Sequence, residues 1–87
     1  MKNRPNYEIL STELYEKIER YDSKVFFKIK FLVDVNEYVA FCTYKNGNLL
    51  DGYCIQDYYG VDVDDESIVH LGCDLLDNME TNKNQLI

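Results

Sequence analysis

The stretch Val25-Phe26-Phe27-Lys28-Ile29-Lys30-Phe31-Leu32-Val33 constrains the fold more than any other part of the chain. Val25, Phe27, Ile29, Phe31 and Val33 recur at every second position, the period that sets all five on one face of a β-strand. Lys28 and Lys30 fall on the other face. Asp34-Val35-Asn36-Glu37 then turns the chain into a second strand at about 38–45. Asn46-Gly47 follows, the dipeptide best suited to a type I′ hairpin, whose two central residues both need positive φ. A third strand is expected at about 48–56.

Two-residue turns fix the register, and the register tests itself. Pairing Lys45 with Asn48 sets Tyr44 opposite Leu49, Ala40 opposite Tyr53 and Tyr38 opposite Ile55. Pairing Asp34 with Glu37 sets Val33 opposite Tyr38. The apolar face of the first strand thus continues through Tyr38, Ala40, Cys42, Tyr44, Leu49, Tyr53 and Ile55. One flaw remains: Asp51 points into this face, which signals a bulge or slip at Gly52. The reverse face carries Phe26, Leu32, Val39, Phe41, Leu50 and Cys54 among Lys28, Lys30 and Gln56. It wants cover from a helix, a second subunit or a partner.

Two helices are expected to flank the meander and divide its faces. Tyr7, Leu10, Leu14, Ile18 and Tyr21 are spaced by three or four, the signature of one helical face. Glu13–Lys17 and Glu16–Arg20 are favourable acid-to-base i,i+4 pairs. The spacing predicts a helix over 11–22 capped by Ser11, or a longer one capped by Asn6. After the loop Asp57–Val63, Asp64 or Asp65 caps a second helix. Its apolar stripe is Ile68, Leu71, Gly72, Leu75, Leu76 and Met79. Asp74, Asp77 and Glu80 lie opposite, beside His70, and residues 82–87 are expected to fray. The expected fold is α+β: an N-terminal helix, a three-stranded antiparallel β-meander and a C-terminal helix (α-β-β-β-α), one domain over 1–87.

Composition fits a packed domain: 46% of the residues are hydrophobic, with 8 Tyr and 4 Phe, unlike disordered chains. No apolar run approaches the roughly 18–20 residues of a membrane span. Met1-Lys2-Asn3-Arg4-Pro5-Asn6 leads directly into Tyr7-Glu8 without the apolar core of a signal peptide. Cys42, Cys54 and Cys73 are odd in number and form no Cys-x-x-Cys pair, so they read as reduced thiols in a cytoplasm.

Charge is distributed unevenly. Residues 1–48 hold 8 basic and 7 acidic residues (+1), and residues 49–87 hold Lys83 against 9 acids (−8), together the net −7. Such a field repels nucleic acid and anionic membrane and attracts a cationic surface.

Catalytic equipment is sparse. The single His70 lies opposite the core stripe near Asp74, and a His70–Cys73 dyad would sit on an exposed helix face. Asp62-Val63-Asp64-Asp65-Glu66 offers hard oxygen ligands, yet as an EF-hand loop from Asp62 it has Ser67 where Gly belongs and Cys73 where the bidentate Glu belongs. No zinc spacing and no phosphate-cradling loop occurs. The expectation is no enzyme, no catalytic residues, no metal and no cofactor. What remains is an acidic surface with tyrosines in it: Asp51, Asp57, Tyr58, Tyr59, Asp62, Asp64, Asp65, Glu66, Asp74, Asp77 and Glu80. Carboxylates can stand in for phosphates against rows of Lys and Arg, and Tyr supplies rigid interface anchors.

In length, acidity and expected element order the chain resembles small acidic phage-encoded inhibitors, the anti-CRISPR proteins and other DNA mimics. Asn36-Glu37-Tyr38-Val39 and Glu66-Ser67-Ile68-Val69 look like short strings found in one such Cas9 inhibitor. The chain departs from it in its tail, Asn82-Lys83-Asn84-Gln85-Leu86-Ile87, where that inhibitor's acids continue, and no site residue is carried over. The resemblance implies a cytoplasmic protein inhibitor that occupies the DNA-binding groove of a host nuclease. Two other functions fit the same residues: an immunity or antitoxin-type protein plugging a basic toxin, and a homodimer joined through the Phe26/Val39/Phe41 sheet face with the charge serving solubility.

Overall fold

The computed structural model describes the backbone of residues 6–85 and the side chains of residues 6–81. Its elements are β1 (Tyr7–Glu19), β2 (Asp22–Val33), β3 (Asn36–Lys45), β4 (Asn48–Leu49), β5 (Cys54–Asp57) and α1 (Glu66–Gln85). The sheet is antiparallel and runs β1-β2-β3, with β4 and β5 both paired to the far edge of β3.

The expected N-terminal helix is not formed: Tyr7–Glu19 is the longest strand of the sheet. It pairs with β2 from Tyr7 opposite Val33 to Glu19 opposite Asp22, with a bulge between Ile9 and Ser11. That bulge accounts for the helix-like spacing. Before it, Tyr7 and Ile9 face one side; after it, Thr12, Leu14, Glu16 and Ile18 face the same side, so a period-2 pattern with one extra residue imitates a spacing of three and four. The physical reason for the strand lies in β2. Five of its side chains are buried, and a buried strand needs both backbone edges paired. β3 supplies one edge and β1 the other. Tyr, Ile and Thr in this segment also suit a pleated surface.

The loops between β1, β2, β3 and β4 are two-residue turns whose first residue has positive φ: Arg20, Asp34 and Asn46. Gly47 continues the last one at φ 84°, as a type I′ turn requires. Asn46 also ties the two hairpins together. Its side-chain oxygen accepts from Ser23 N at 2.8 Å, and its own N donates to Ser23 O at 2.7 Å. β2 and β3 pair two residues out of the expected register, with Val33 opposite Asn36 and Phe31 opposite Tyr38. A shift of two preserves the faces. The β3–β4 register is as expected, Lys45 opposite Asn48 and Tyr44 opposite Leu49. The chain then bends at Leu50–Asp51, with Gly52 at φ 89°, and β5 resumes with Ile55 rather than Tyr53 opposite Ala40. This slip leaves Asp51 exposed.

α1 crosses one face of the sheet over β2, β3 and β5 and does not reach β1. Ile68, Leu71, Leu75 and Leu76 meet Val25, Phe27, Ile29, Phe31, Val33, Ala40, Cys42 and Ile55 in one core, which holds no buried polar side chain among the described residues. Gly72 permits the close approach of helix to sheet: a Cβ there would lie 2.6 Å from Ile55 Cγ1. The helix starts at Glu66 with Asp65 as its cap and runs to Gln85, beyond the expected end at Thr81; Leu86 and Ile87 lie outside the described residues. Among the described residues no helix is long and apolar enough to cross a membrane.

Because only one helix forms, the reverse face of the sheet is open, contrary to the expectation of two helices dividing the faces. Register places five of the nine basic side chains there: Lys17, Lys24, Lys28, Lys30 and Lys45. Lys17, Lys24 and Lys45 stand directly opposite one another across β1, β2 and β3. Beside that row, Phe26 touches Tyr15 and Phe41 in tilted ring contacts at 6.2 and 6.3 Å. The same register places Glu8, Glu13, Glu19, Asp22 and Glu37 there as well, so the open face is close to neutral. The acids from Asp64 to Glu80 belong to the helix layer, which is the more negative of the two.

Candidate acidic interface

The centre of the predicted site is a loop that closes on itself. Asp57 ends β5, and its Oδ1 accepts from Tyr59 N at 2.8 Å and Val61 N at 3.0 Å. Asp57 N donates to Val61 O at 2.9 Å, and Gly60, at φ 82°, donates to Asp57 O at 3.1 Å. The loop is therefore held by its own backbone and by one carboxylate. Tyr58 and Tyr59 are turned outward, 70% and 85% exposed, and pack edge to face with ring centroids 5.4 Å apart. Two large rings so exposed and so firmly based form a knob with little conformational freedom left to lose on binding.

The chain returns beside β5. Asp62 bridges back to Gln56, Val63 N donates to Ile55 O at 3.0 Å, and Asp62 Oδ1 accepts from Gln56 Nε2 at 3.4 Å. Asp65 caps α1: its Oδ1 accepts from Ser67 N at 3.0 Å and from Ser67 Oγ at 2.8 Å. The Ser67 bonds hold the Asp65 carboxyl below its ordinary range. Asp57, Asp62 and Asp65 thus have structural roles that a charge count along the sequence does not reveal. Asp64 and Glu66, both exposed, extend the acidic run from the loop onto the helix.

Farther along α1, Asp77 accepts a short hydrogen bond from the Tyr53 hydroxyl, which also lies 3.3 Å from the Tyr44 hydroxyl. Asp77 first, then Tyr44, pushes the Tyr53 hydroxyl well above its ordinary pKa. Asp74 and Glu80 are half-buried on either flank of the helix. With a rise of about 1.5 Å per residue, the helix acids from Glu66 to Glu80 span roughly 21 Å. Asp57, Tyr58, Tyr59, Asp62, Asp64, Asp65 and Glu66 thus lie along one loop and the first turn of α1, with Asp62 turned toward Gln56 on the sheet. Asp74, Asp77 and Glu80 prolong it, and Asp51 lies apart at the β4–β5 bend.

The three cysteines are held as thiols. Burial raises the Cys42 thiol to about 11, with Asp77, Cys73 and Glu80 adding to the effect. Cys73 and Cys54 are raised by burial and then by nearby carboxylates. All three are protonated at neutral pH, the opposite of an activated nucleophile. Among the described residues no three His, Cys, Asp or Glu side chains converge as metal ligands.

Sequence reasoning missed the groove on the open face, about 320 Å³, lined by Phe26, Lys28, Val39, Phe41, Gln56, Asp57 and Gly60. Its apolar members were visible, but its wall comes from the Asp57–Val61 loop, whose closure depends on hydrogen bonds. Comparison of the chain with protein-family models, curated proteins and solved structures gives no match.

Proposed function

We propose that this chain is an acidic inhibitor that blocks a basic nucleic-acid-binding protein, such as a CRISPR nuclease, by presenting its 57–66 loop and α1 in place of nucleic acid. The observation that carries this reading is the Tyr58–Tyr59 knob, 70% and 85% exposed, standing between Asp57 and Asp62 at the start of the acidic loop that leads to α1. Acids steer the approach to a cationic groove, and the rings supply the apolar area that charge alone lacks. A tract without a basic residue from Asn46 to Asn82 keeps the field of this layer of one sign.

The test is capture from bacterial lysate on tagged chain, eluted along a salt gradient, with wild type compared to a variant carrying Tyr58→Ala, Tyr59→Ala and Asp64→Lys. These three side chains have no structural hydrogen bond, whereas Asp62 and Asp65 do, so the variant keeps the fold. A basic nucleic-acid-binding protein retained by wild type, released as salt rises, lost from the variant and prevented from binding DNA by the wild-type chain is the expected result. Equal retention by both, or a captured protein whose DNA binding is untouched, overturns the proposal.

A further inference from the structure

The outer edge of β1 is exposed and lies apart from the acidic loop. Among the described residues nothing pairs with this edge, and α1 stops short of it. Every side chain of the strand except Glu13 is exposed, including Ile9, Leu14 and Ile18 at 46%, 46% and 71% on the helix side. Proteins blunt open edges with prolines, bulges, short strands, covering loops or charges that a pairing strand cannot match. β1 has a bulge before Ser11 and a turn at Arg20, and between them Ser11–Glu19 runs without interruption.

We infer that this segment pairs antiparallel with the same segment of a second copy, about a two-fold axis through Tyr15, to make one continuous sheet. Nine residues on each side give about eight to ten inter-strand hydrogen bonds, comparable to a whole standard interface. Tyr15 is the midpoint of the segment, so this register uses all of it. Side-chain charge selects the same register. An axis at Glu13 sets that residue against itself; an axis at Glu16 sets Glu16 against itself and Glu13 against Glu19. An axis at Leu14 joins no opposite charges. The axis at Tyr15 sets Glu13 opposite Lys17 of the second copy, twice, on the open face.

That pairing answers an imbalance within the single chain. Lys17 stands directly opposite Lys24, a like-charge cross-strand pair. Its carboxylate contact at 3.0 Å is Glu19 on its own strand, with both side chains largely exposed. Glu13, the one half-buried residue of β1, lies 3.7 Å from Lys28 and would be held between two lysines. On the helix side Leu14 falls diagonal to Ile18 of the second copy, and Thr12 directly opposite it, so the apolar strip that α1 leaves bare gains a neighbour. On the open side the Phe41–Phe26–Tyr15 ring series continues into its symmetry mate.

The experiment is sedimentation equilibrium of three full-length chains: wild type, Glu13→Lys and Lys17→Glu. Wild type is expected to dimerise at micromolar concentration. Each variant alone brings like charges together at both symmetric positions, and its dimer is expected to weaken roughly tenfold or more. Mixed one to one, the two variants bring opposite charges together at both positions, and a heterodimer of near wild-type strength is expected. Hydrogen exchange is to slow in Ser11–Glu19 as wild type is concentrated. Circular dichroism on each variant confirms folding, and an unfolded chain could not be rescued by mixing. A wild type that stays monomeric at several hundred micromolar overturns the inference. So does a dimer that both variants leave intact, or one that mixing does not restore.

Discussion

Replacing Gly72 by alanine tests the packing of helix on sheet, and its sign depends on which of two effects is larger. In an unencumbered helix interior the change stabilises by about 0.8–1 kcal/mol, because glycine loses more backbone freedom on folding. Here the added methyl meets Ile55 Cγ1 at 2.6 Å and Ala40 Cβ at 3.4 Å. Ile55 is only 6% exposed and β-branched, so Cγ1 sits near the root of a stiff side chain and cannot swing aside as a lysine tip would. Overpacking of this kind costs typically 1–3 kcal/mol. The difference leaves Gly72→Ala destabilising by about 1 kcal/mol, a fall of about 4–8 °C in Tm for a domain of this size. In an Ile55→Ala background the obstacle is gone, and the same change is expected to stabilise by nearly 1 kcal/mol. The coupling energy is therefore about 2 kcal/mol, within the range for residues in contact. Urea unfolding of the four proteins, followed by circular dichroism, measures it. Because Ile55→Ala alone costs about 2–5 kcal/mol, the cycle is best run in a stabilising osmolyte such as TMAO. If Gly72→Ala stabilises the wild-type background by about 1 kcal/mol, or acts equally in both, the steric reasoning is wrong.

Tyr53→Phe removes the bonds to Asp77 and Tyr44 and is expected to cost at most about 1 kcal/mol at neutral pH, since the site is half-exposed. The Tyr53 pKa is raised on folding, so its contribution is whole below its ordinary value of 10 and lost as pH rises above it. The variant's stability should therefore fall less steeply than wild type above pH 10, while both proteins share the decline between pH 9 and 11 from the raised Cys42 thiol; parallel curves would refute the assignment. Asp65→Asn keeps a capping oxygen but removes the charge. The Asp65 carboxyl is lowered on folding, so its contribution is present above its ordinary 3.8 and lost as pH falls below that value. Urea midpoints from pH 5 to 2.5 should decline less in the variant, and an unchanged acid limb would show that the Ser67 bonds do not act through charge.

The parts legible in the sequence were those governed by strict local periodicity. Val25–Val33 alternates without a break, Asn46-Gly47 has one favoured turn, and Ile68–Met79 carries a continuous helical stripe; each lies where the residues pointed. The first strand was illegible because one extra residue at Leu10 turns alternation into apparent helical spacing, and because the demand for it comes from the unpaired edge of β2, outside the segment. Both register slips were of two residues, which face patterns cannot detect. Asp51 did betray the second, since no unbulged register kept it out of the core. At the candidate site, the acids and tyrosines were visible, but the division between Asp57, Asp62 and Asp65, which hold the loop, and Tyr58, Tyr59 and Asp64, which face outward, needed hydrogen bonds that join residues two to six apart.

The lysines of the open face shape how the domain sits in an external field. Set among acids of the same face, they leave it near neutral. Negative charge gathers on the helix layer about 10 Å away, close to the Debye length of about 8 Å at physiological ionic strength. The charge of this net anion is thus lopsided across its thin dimension. If the partner is the cationic groove proposed above, it exerts a torque before contact and turns α1 inward, so that added salt slows arrival more than it hastens departure. Lys24 and Lys45 would then contribute without touching the partner, by keeping the rear face from competing for the approach.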